Sequence, residues 1–330
     1  MTPSALARVL PLLINKRRPA FIWGPPGGGK SAVVRQICES MKLEMRDIRL
    51  SLLDPTDLKG LPFPDVKAKV MRWLQAEFLP QDQKSKGVLF FDELNAAPQS
   101  VQAATYQLIL DHQIGEYVLP PGWSMLAAGN RSGDRGVVHT MPSPLANRLV
   151  HIDFEVSNND WDVKAQADGI SVDLRAFMKF RPKLLTTTDM TNNPRAFPTP
   201  RSWYFVDDFY KAGLNHEDEF ELIKGTVGEG AATEFLAYIK QIKDLPTVDQ
   251  VLLDPEATKL PERPAGKYAM VTALDEKATP NNFGRIMKYV ERMDKEFQVI
   301  FVRACARAND KICNTKEYMN WGTANADVLL

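Results

Sequence analysis

Apolar and polar positions alternate along the first half of the chain in blocks that predict strands and helices in turn. Short apolar runs predict buried strands at residues 20–23, 87–93 and 124–130. Stretches with the period of a helix, residues 32–41 and 100–112, lie between them. Strands that alternate with helices in this way predict an α/β fold, in which helices cover a parallel sheet.

The second half of the chain has a different pattern, because helical periodicity dominates from residue 157 onward. Two segments lack clear periodicity and are rich in proline, namely residues 54–64 and 244–267. We predict that the first is a loop with turns and that the second is an extended linker. At the amino terminus, residues 1–11 predict a short amphipathic helix with Thr2 or Ser4 as its cap.

Composition narrows the class of protein without defining it. The 330 residues are 44% hydrophobic and 25% charged, and the formal net charge is zero. Nothing in this balance favours nucleic acid or an anionic membrane as a partner, and no apolar run approaches the roughly 20 residues that span a bilayer. The three cysteines are scattered, which disfavours a disulfide framework or a zinc site and predicts a cytoplasmic protein.

A glycine-rich segment, GPPGGGKS, follows the first predicted strand and precedes a predicted helix. It matches the pattern G-x-x-x-x-G-K-[ST], in which glycines let backbone N–H groups approach phosphate oxygens. A plain turn is the alternative, but the position of the lysine and the serine disfavours it. We predict a nucleotide-phosphate site at Gly24, Pro25, Pro26, Gly27, Gly28, Gly29, Lys30, Ser31 and Ala32.

Polar side chains end the next two predicted core strands. Asp92 and Glu93 follow one apolar run, and Asn130 follows the other. In open α/β sheets ligands bind at the carboxyl ends of the strands, so Asp92 could bind Mg²⁺ and Glu93 could polarise an attacking water. The alternatives are that the two acids cap the following helix and that Asn130 only ends its strand.

Thr199, Pro200 and Arg201 have the order of a helix cap, a first helical residue and a first-turn arginine. A cation at this position opposes the helix dipole, so an anionic ligand would explain its presence.

Together, these segments resemble the AAA+ ATPases, and most closely their MoxR-like branch. The resemblance covers about residues 15 to 240 and includes SPLANRLVHIDF. Its specific part is the combination of the phosphate loop and GVLFFDELNAAP with DPTDLKGLP and PTPRSW. It implies a parallel P-loop sheet at residues 1–155, a helical lid at 156–245 and a helical C-terminal extension at 246–330, to which no motif assigns a role.

The resemblance also implies the cofactors ATP and Mg²⁺ and a role for each site residue. Lys30 would bind phosphate, Ser31 and Asp92 would hold the metal, and Glu93 would activate water. Asn130 would be the first sensor of the γ-phosphate. Arg201 would be the second sensor, with Arg195 as an alternative. A neighbouring subunit would supply Arg148 as an arginine finger, with Arg131 and Arg135 as alternatives, in a homo-oligomeric ring that the resemblance implies is hexameric.

Three functions remain open at this level. The first is a chaperone-like ATPase that remodels a protein partner, which the resemblance suggests is a protein with a von Willebrand A domain. The second is a motor on nucleic acid. Residues 54–80 resemble an insertion of the MoxR-like branch, and their basic side chains favour this function: Lys59, Lys67, Lys69 and Arg72. The third, a small-molecule phosphotransferase, explains neither the arginines nor the long helical half.

Overall fold

Strands and helices alternate through the first half of the chain. The computed structural model describes residues 1–134, 139–187 and 195–326. The strands are β1 (Ala20–Trp23), β2 (Glu44–Arg49), β3 (Leu61–Asp65), β4 (Val70–Leu74), β5 (Gly87–Asp92), β6 (Gln113–Ile114), β7 (Tyr117–Val118), β8 (Trp123–Gly129) and β9 (Val150–Asp153). The helices are α1 (Pro3–Asn15), α2 (Lys30–Ser40), α3 (Pro55–Lys59), α4 (Gln99–Asp111) and α5 (Ser143–Ala146). The predicted first helix is confirmed, and the Thr2 hydroxyl caps it.

A five-stranded parallel sheet with the order β2-β5-β8-β1-β9 is the centre of this half. Alternate residues of each central strand face opposite layers of helices. In β5, Val88 and Phe90 belong to the core that α1 and α2 cover, whereas Leu89 and Phe91 belong to the core that α4 covers. Strands buried on both faces read as continuous apolar runs, which is why their sequence predicted them correctly.

The proline-rich segment 54–64 is more regular than its composition predicted. Asp54 and Pro55 start α3, in a capping box that pairs Asp54 with Asp57, and Gly60 ends it. Gly60 has a φ of 87°, and a Cβ there would lie 2.0 Å from the carbonyl oxygen of Leu74. The expectation of a loop was therefore wrong, because an Asp-Pro pair is also a helix cap followed by a first helical residue.

Helices make up the described part of the second half. They are α6 (Asn158–Ala167), α7 (Val172–Phe180), α8 (Pro200–Ala212), α9 (His216–Val227), α10 (Glu229–Ile242), α11 (Val248–Leu253), α12 (Pro264–Lys277), α13 (Phe283–Val290), α14 (Lys295–Ala308) and α15 (Lys316–Ala324). The predicted linker at 244–267 was wrong in part, since α11 and the start of α12 lie within it. Thr247 and Gln250 form the capping box that begins α11.

The chain divides into two compact units, with the boundary between Ser157 and Asn158. In the second unit, α12 packs against both α7 and α14, so helices from either side of residue 245 are in direct contact. Among the described residues, none of the helices has both the length and the apolar character needed to cross a membrane.

Candidate functional site

The candidate site lies at one edge of the parallel sheet in the first unit. Strands β5, β8 and β1 are neighbours, and they run in the same direction. Their carboxyl ends therefore meet at one edge. The glycine-rich loop follows β1, Asp92 and Glu93 end β5, and Asn130 follows β8. The sheet thus brings together three groups of residues that are separated by about 40 to 100 positions in sequence.

The glycine-rich loop has the backbone that a phosphate site requires. Gly27 and Gly29 have φ angles of 66° and 96°, in the left-handed region that favours glycine. Gly29 is the N-cap of α2, and no side chain caps that helix. Within the described residues, no capping side chain therefore stands between an anion and the positive end of the α2 dipole.

Lys30 points from the first turn of α2 back into the loop, and only 7% of it is exposed. Its Nζ donates hydrogen bonds to the carbonyl oxygens of Gly24 at 2.8 Å and Pro25 at 3.0 Å. It also lies 3.2 Å from the amide oxygen Oδ1 of Asn130. The ammonium group is thus held between the loop and the end of β8, where a phosphate oxygen could replace one of these acceptors.

Ser31 and Asp92 form a small set of oxygen donors. The Ser31 hydroxyl donates to Asp92 Oδ2 at 2.9 Å, and Asp92 Oδ1 accepts from the backbone N–H of Glu93 at 3.0 Å. A hydroxyl and a carboxylate are hard ligands of the type that Mg²⁺ prefers, so these residues fit that ion. Burial raises the pKa of Asp47 on the neighbouring strand β2, and the charge of Asp92 raises it further.

Glu93 has a backbone conformation that is unusual for its residue type, with a φ of 56°. Left-handed conformations of residues other than glycine store strain, and they cluster at functional sites. Its carboxylate oxygen Oε2 accepts a hydrogen bond from the hydroxyl of Ser51, which follows β2. Sequence analysis missed Ser51, since only the strand order places the end of β2 beside the end of β5.

Asn95 is a second polar residue at this edge that sequence analysis missed. It is 1% exposed, and its Nδ2 donates to the backbone carbonyl of Asn130 at 2.7 Å. Its own backbone carbonyl accepts from the N–H of His139 at 2.7 Å. An asparagine two positions after a pair of acids has no distinctive sequence signal, because helix starts are often polar.

The arginines of the first unit differ in how they are bound. Arg131 donates to the Asp153 carboxylate at 3.2 Å and to the carbonyl of Phe154 at 3.0 Å, so its guanidinium is held by its own subunit. Arg148 follows α5 and is exposed, and its guanidinium forms no ion pair within the ranges that the structure describes. Arg135 lies outside the described residues.

The predicted second sensor lies in the other unit. Arg201 is exposed in the first turn of α8, and Thr199 caps this helix as the sequence predicted. The cap is a reciprocal box, in which Thr199 Oγ1 accepts from the N–H of Ser202 and Ser202 Oγ accepts from the N–H of Thr199. Arg195 is exposed before this helix. The sensor roles of both arginines stay predictions.

Comparison with known proteins shows which class of domain this site is similar to. Residues 20–152 match the model of the ATPase family associated with various cellular activities (AAA). This range begins at β1 and ends in β9, so it contains the sheet, the glycine-rich loop, Asp92, Glu93 and Asn130. Residues 20–152 of the first unit are therefore similar to the ATPase domains of this family.

Individual relatives are similar over limited regions or with low identity. Midasin of Giardia intestinalis is 30% identical over 156 residues, which are 44% of this chain and 3% of that protein. A presumed ATPase from Cytophaga hutchinsonii has 14% identity and a TM-score of 0.38 over 94% of this chain and 76% of its own. RuvB of Thermotoga maritima, a Holliday junction branch migration motor, has 17% identity and a TM-score of 0.39 over 76% and 73% of the two chains. Scores this low add nothing to what the sheet itself establishes.

Proposed function

We propose that this chain is a ring-forming, Mg²⁺-dependent ATPase of the MoxR-like type that remodels a protein partner. The observation that carries the proposal is the convergence of Lys30, the Ser31–Asp92 pair, Glu93 and Asn130 at one edge of the sheet. These groups supply a cation for phosphate, oxygen ligands for a metal, a carboxylate for water and an amide for the γ-phosphate. Phosphoryl transfer to water needs this set of groups, since it depends on positioning and charge stabilisation.

Each residue would have a separate task in hydrolysis. The loop N–H groups and Lys30 would hold the β- and γ-phosphates, and Asn130 would orient the γ-phosphate or the water. Glu93 would accept the proton of the attacking water. When bound at Ser31 and Asp92, Mg²⁺ would neutralise charge on the phosphate oxygens.

A ring would complete the site with an arginine from the neighbouring subunit. Arg148 suits this role better than Arg131, because Arg148 is exposed whereas Arg131 is paired with Asp153 of its own subunit. Such an arginine stabilises the charge of the transition state and increases the rate by about 10³ or more. Hydrolysis would therefore depend on assembly. Arg201 of the helical unit would sense the γ-phosphate in its own subunit.

The hairpin of β3 and β4 supports a protein partner. Its exposed apolar side chains include Phe63 at 56%, Met71 at 58% and Trp73 at 39% exposure. A two-stranded hairpin with exposed apolar side chains is typical of a contact surface for another protein. The same hairpin carries the exposed side chains of Lys67, Lys69 and Arg72, which keep nucleic acid as the alternative substrate. A von Willebrand A domain as the partner rests on the family resemblance alone.

The variant Glu93→Gln tests the catalytic part of this proposal. We expect it to bind ATP with unchanged affinity and to hydrolyse it at least about 100-fold more slowly, because an amide cannot accept the proton. ATP binding is measured by calorimetry and hydrolysis by phosphate release, with and without Mg²⁺. Hydrolysis at the wild-type rate in this variant would show that Glu93 does not accept the proton of the attacking water.

Salt-dependent binding distinguishes the two kinds of substrate. A protein-remodelling ATPase should hydrolyse ATP without DNA or RNA and should bind neither with a steep dependence on salt. The nucleic-acid motor would be favoured instead if the affinity for DNA or RNA decreased strongly with rising salt. In that case the double variant Lys67→Gln, Lys69→Gln should not bind DNA or RNA.

A further inference from the structure

Asn95 connects three segments at the edge of the sheet. It lies in the single turn of 3₁₀ helix, Leu94–Ala96, that follows Glu93. Its side-chain amide donates to the carbonyl of Asn130, and its backbone carbonyl accepts from the N–H of His139. The turn that carries Glu93 is thereby tied both to the end of β8 and to the segment that leads towards Arg148.

The last residue of β8 is shaped to receive this side chain. A Cβ at Gly129 would lie 2.0 Å from Oδ1 and 2.7 Å from Cγ of Asn95. The carbonyl of Gly129 in turn accepts from the N–H of Gly24 at 3.2 Å. The amide of Asn95 therefore packs against the backbone of Gly129, which is itself hydrogen-bonded to the start of the glycine-rich loop.

This contact lies between Asn130 and Glu93, the two residues that we propose act on the γ-phosphate and on the attacking water. Asn130, whose carbonyl Asn95 holds, contacts Lys30 Nζ through its side-chain oxygen. Glu93 is two positions before Asn95 and has the left-handed φ of 56°. A change of the Asn95 contact would therefore displace the γ-phosphate sensor relative to the catalytic carboxylate.

Burial alone does not explain an asparagine here. Its Oδ1 is buried, and within the described part of the chain it has no hydrogen-bond partner. A buried acceptor without a partner is destabilising, so selection for stability alone would favour a residue without it. The retained amide is better explained by the donor that it supplies to Asn130.

We propose that Asn95 is a positioning residue for ATP hydrolysis, which sets the distance between Glu93 and Asn130 through its amide donor to the Asn130 carbonyl. The inference rests on the roles proposed above for Glu93 and Asn130. Asn95 touches neither the phosphate nor the water in this scheme, and it acts only through the two residues that do.

The isosteric variant Asn95→Asp and the truncation Asn95→Ala test this role. Each removes the donor, and the aspartate places an oxygen opposite the Asn130 carbonyl. We expect kcat to fall by about 10- to 100-fold, because small displacements of catalytic groups have effects of this size. We expect the affinity for ATP to stay within about threefold, since the phosphate loop and Lys30 are unchanged.

Gln102 offers a matched control. It is also buried, at 2% exposure, and its Nε2 donates to the backbone carbonyl of Ala97 at 2.9 Å, in the segment that follows the same turn. Gln102→Glu and Gln102→Ala remove an equivalent buried donor without touching Asn130. They should lower the thermal unfolding midpoint, while kcat of the folded enzyme stays within about twofold of wild type. If the Gln102 variants lost as much kcat as the Asn95 variants, Asn95 would have only a structural role.

A double-mutant cycle with Asn130→Ala tests whether Asn95 acts through Asn130, independently of the roles proposed for the site residues. If Asn95 acts through Asn130, adding Asn95→Asp to Asn130→Ala should lower kcat by less than about threefold. Full additivity of the two effects would contradict the inference. Normal hydrolysis by Glu93→Gln would overturn the site assignment, whereas an inactive Glu93→Gln beside a fully active Asn95→Asp would overturn this inference alone.

Discussion

Ser51 and Glu93 show how much a single hydrogen bond decides at the residue scale. The Ser51 hydroxyl donates to the carboxylate that is proposed to accept the proton of water. The hydrogen bond occupies Oε2, so this oxygen can accept a proton from water only after the Ser51 hydroxyl releases it. Ser51 would therefore restrain Glu93, and the identity of this one side chain would set the basal rate of the enzyme.

Removing that restraint gives the first prediction at this scale. Ser51→Ala should raise basal ATP hydrolysis by about two- to tenfold, because Oε2 of Glu93 is then free to accept the proton of the attacking water. Steady-state phosphate release measures it. Ser40→Ala is the control, since the Ser40 hydroxyl donates to the carbonyl of Ile37 at the far end of α2. A rate that falls in Ser51→Ala would indicate that the serine positions Glu93 for catalysis.

Asp275 is the second residue whose environment decides its behaviour. Burial raises its pKa to about 6, and the cations Lys179 and Arg175 oppose this shift. Asp162 on α6 and Glu276 on α12 raise the pKa further, and the thiol of Cys305 on α14 faces the carboxyl. The folded state therefore holds the proton of Asp275 more tightly than the unfolded state does.

The sign of the pH effect follows from this difference. Between about pH 4 and pH 6 the unfolded chain loses the proton while the folded chain keeps it, so wild-type stability falls as the pH rises. Asp275→Asn does not titrate. Its free energy of unfolding should therefore rise relative to wild type by on the order of 3 kcal/mol across this window. Urea unfolding at several pH values measures the difference, and a difference that does not vary with pH would contradict the raised pKa.

At the scale of elements, capping residues determine where helices begin within polar or proline-rich segments. Asp54 begins α3 and Thr247 begins α11, each in a segment whose prolines had indicated a loop or a linker. Thr199 begins α8, where the cap was recognised because threonine, proline and a helical stretch followed in order. In all three cases a short side chain satisfies an N–H group that the helix cannot satisfy itself.

The cap of α8 gives a prediction at this scale. Thr199 is 8% exposed, and Thr199→Ala removes its acceptor for the N–H of Ser202. We expect the free energy of unfolding to fall by about 1 kcal/mol. Thr226→Ala is the control, because its hydroxyl only bonds back to Leu222 within α9. Equal effects of the two variants in urea unfolding would show that the cap adds nothing.

At the scale of the whole molecule, the proposed site contains groups from one subunit and needs one more from another. Of the two described candidates for the arginine finger, Arg131 is bound to Asp153 and Arg148 is exposed. A ring in which each subunit presents Arg148 to its neighbour would make the number of complete sites depend on assembly.

Mixing two inactive variants tests this arrangement. Arg148→Ala retains Glu93 but supplies no finger, and Glu93→Gln retains the finger but cannot activate water. Mixed rings should regain a substantial part of wild-type ATP hydrolysis, because Glu93→Gln subunits complete the sites of Arg148→Ala neighbours. Arg8→Ala, another exposed arginine of the first unit, should stay active alone. A mixture no more active than the sum of its parts would contradict a finger at Arg148.

The sequence by itself determined the positions of the glycine-rich loop after β1, the two acids at the end of β5 and the asparagine after β8. Each is a local pattern, in which the chemistry and the neighbouring strand lie within a few residues of each other. The same local logic determined the parallel sheet, since strands buried on both faces are continuous apolar runs.

Only the tertiary structure decided which distant residues support that site. Ser51 reaches Glu93 because β2 lies beside β5, and Asn95 reaches Asn130 because β5 lies beside β8. Likewise, Arg175 is fully buried because Asp162 and Glu276, 13 and 101 positions away, pair with it. Strand order and helix packing bring such residues together over distances in sequence that no local pattern records.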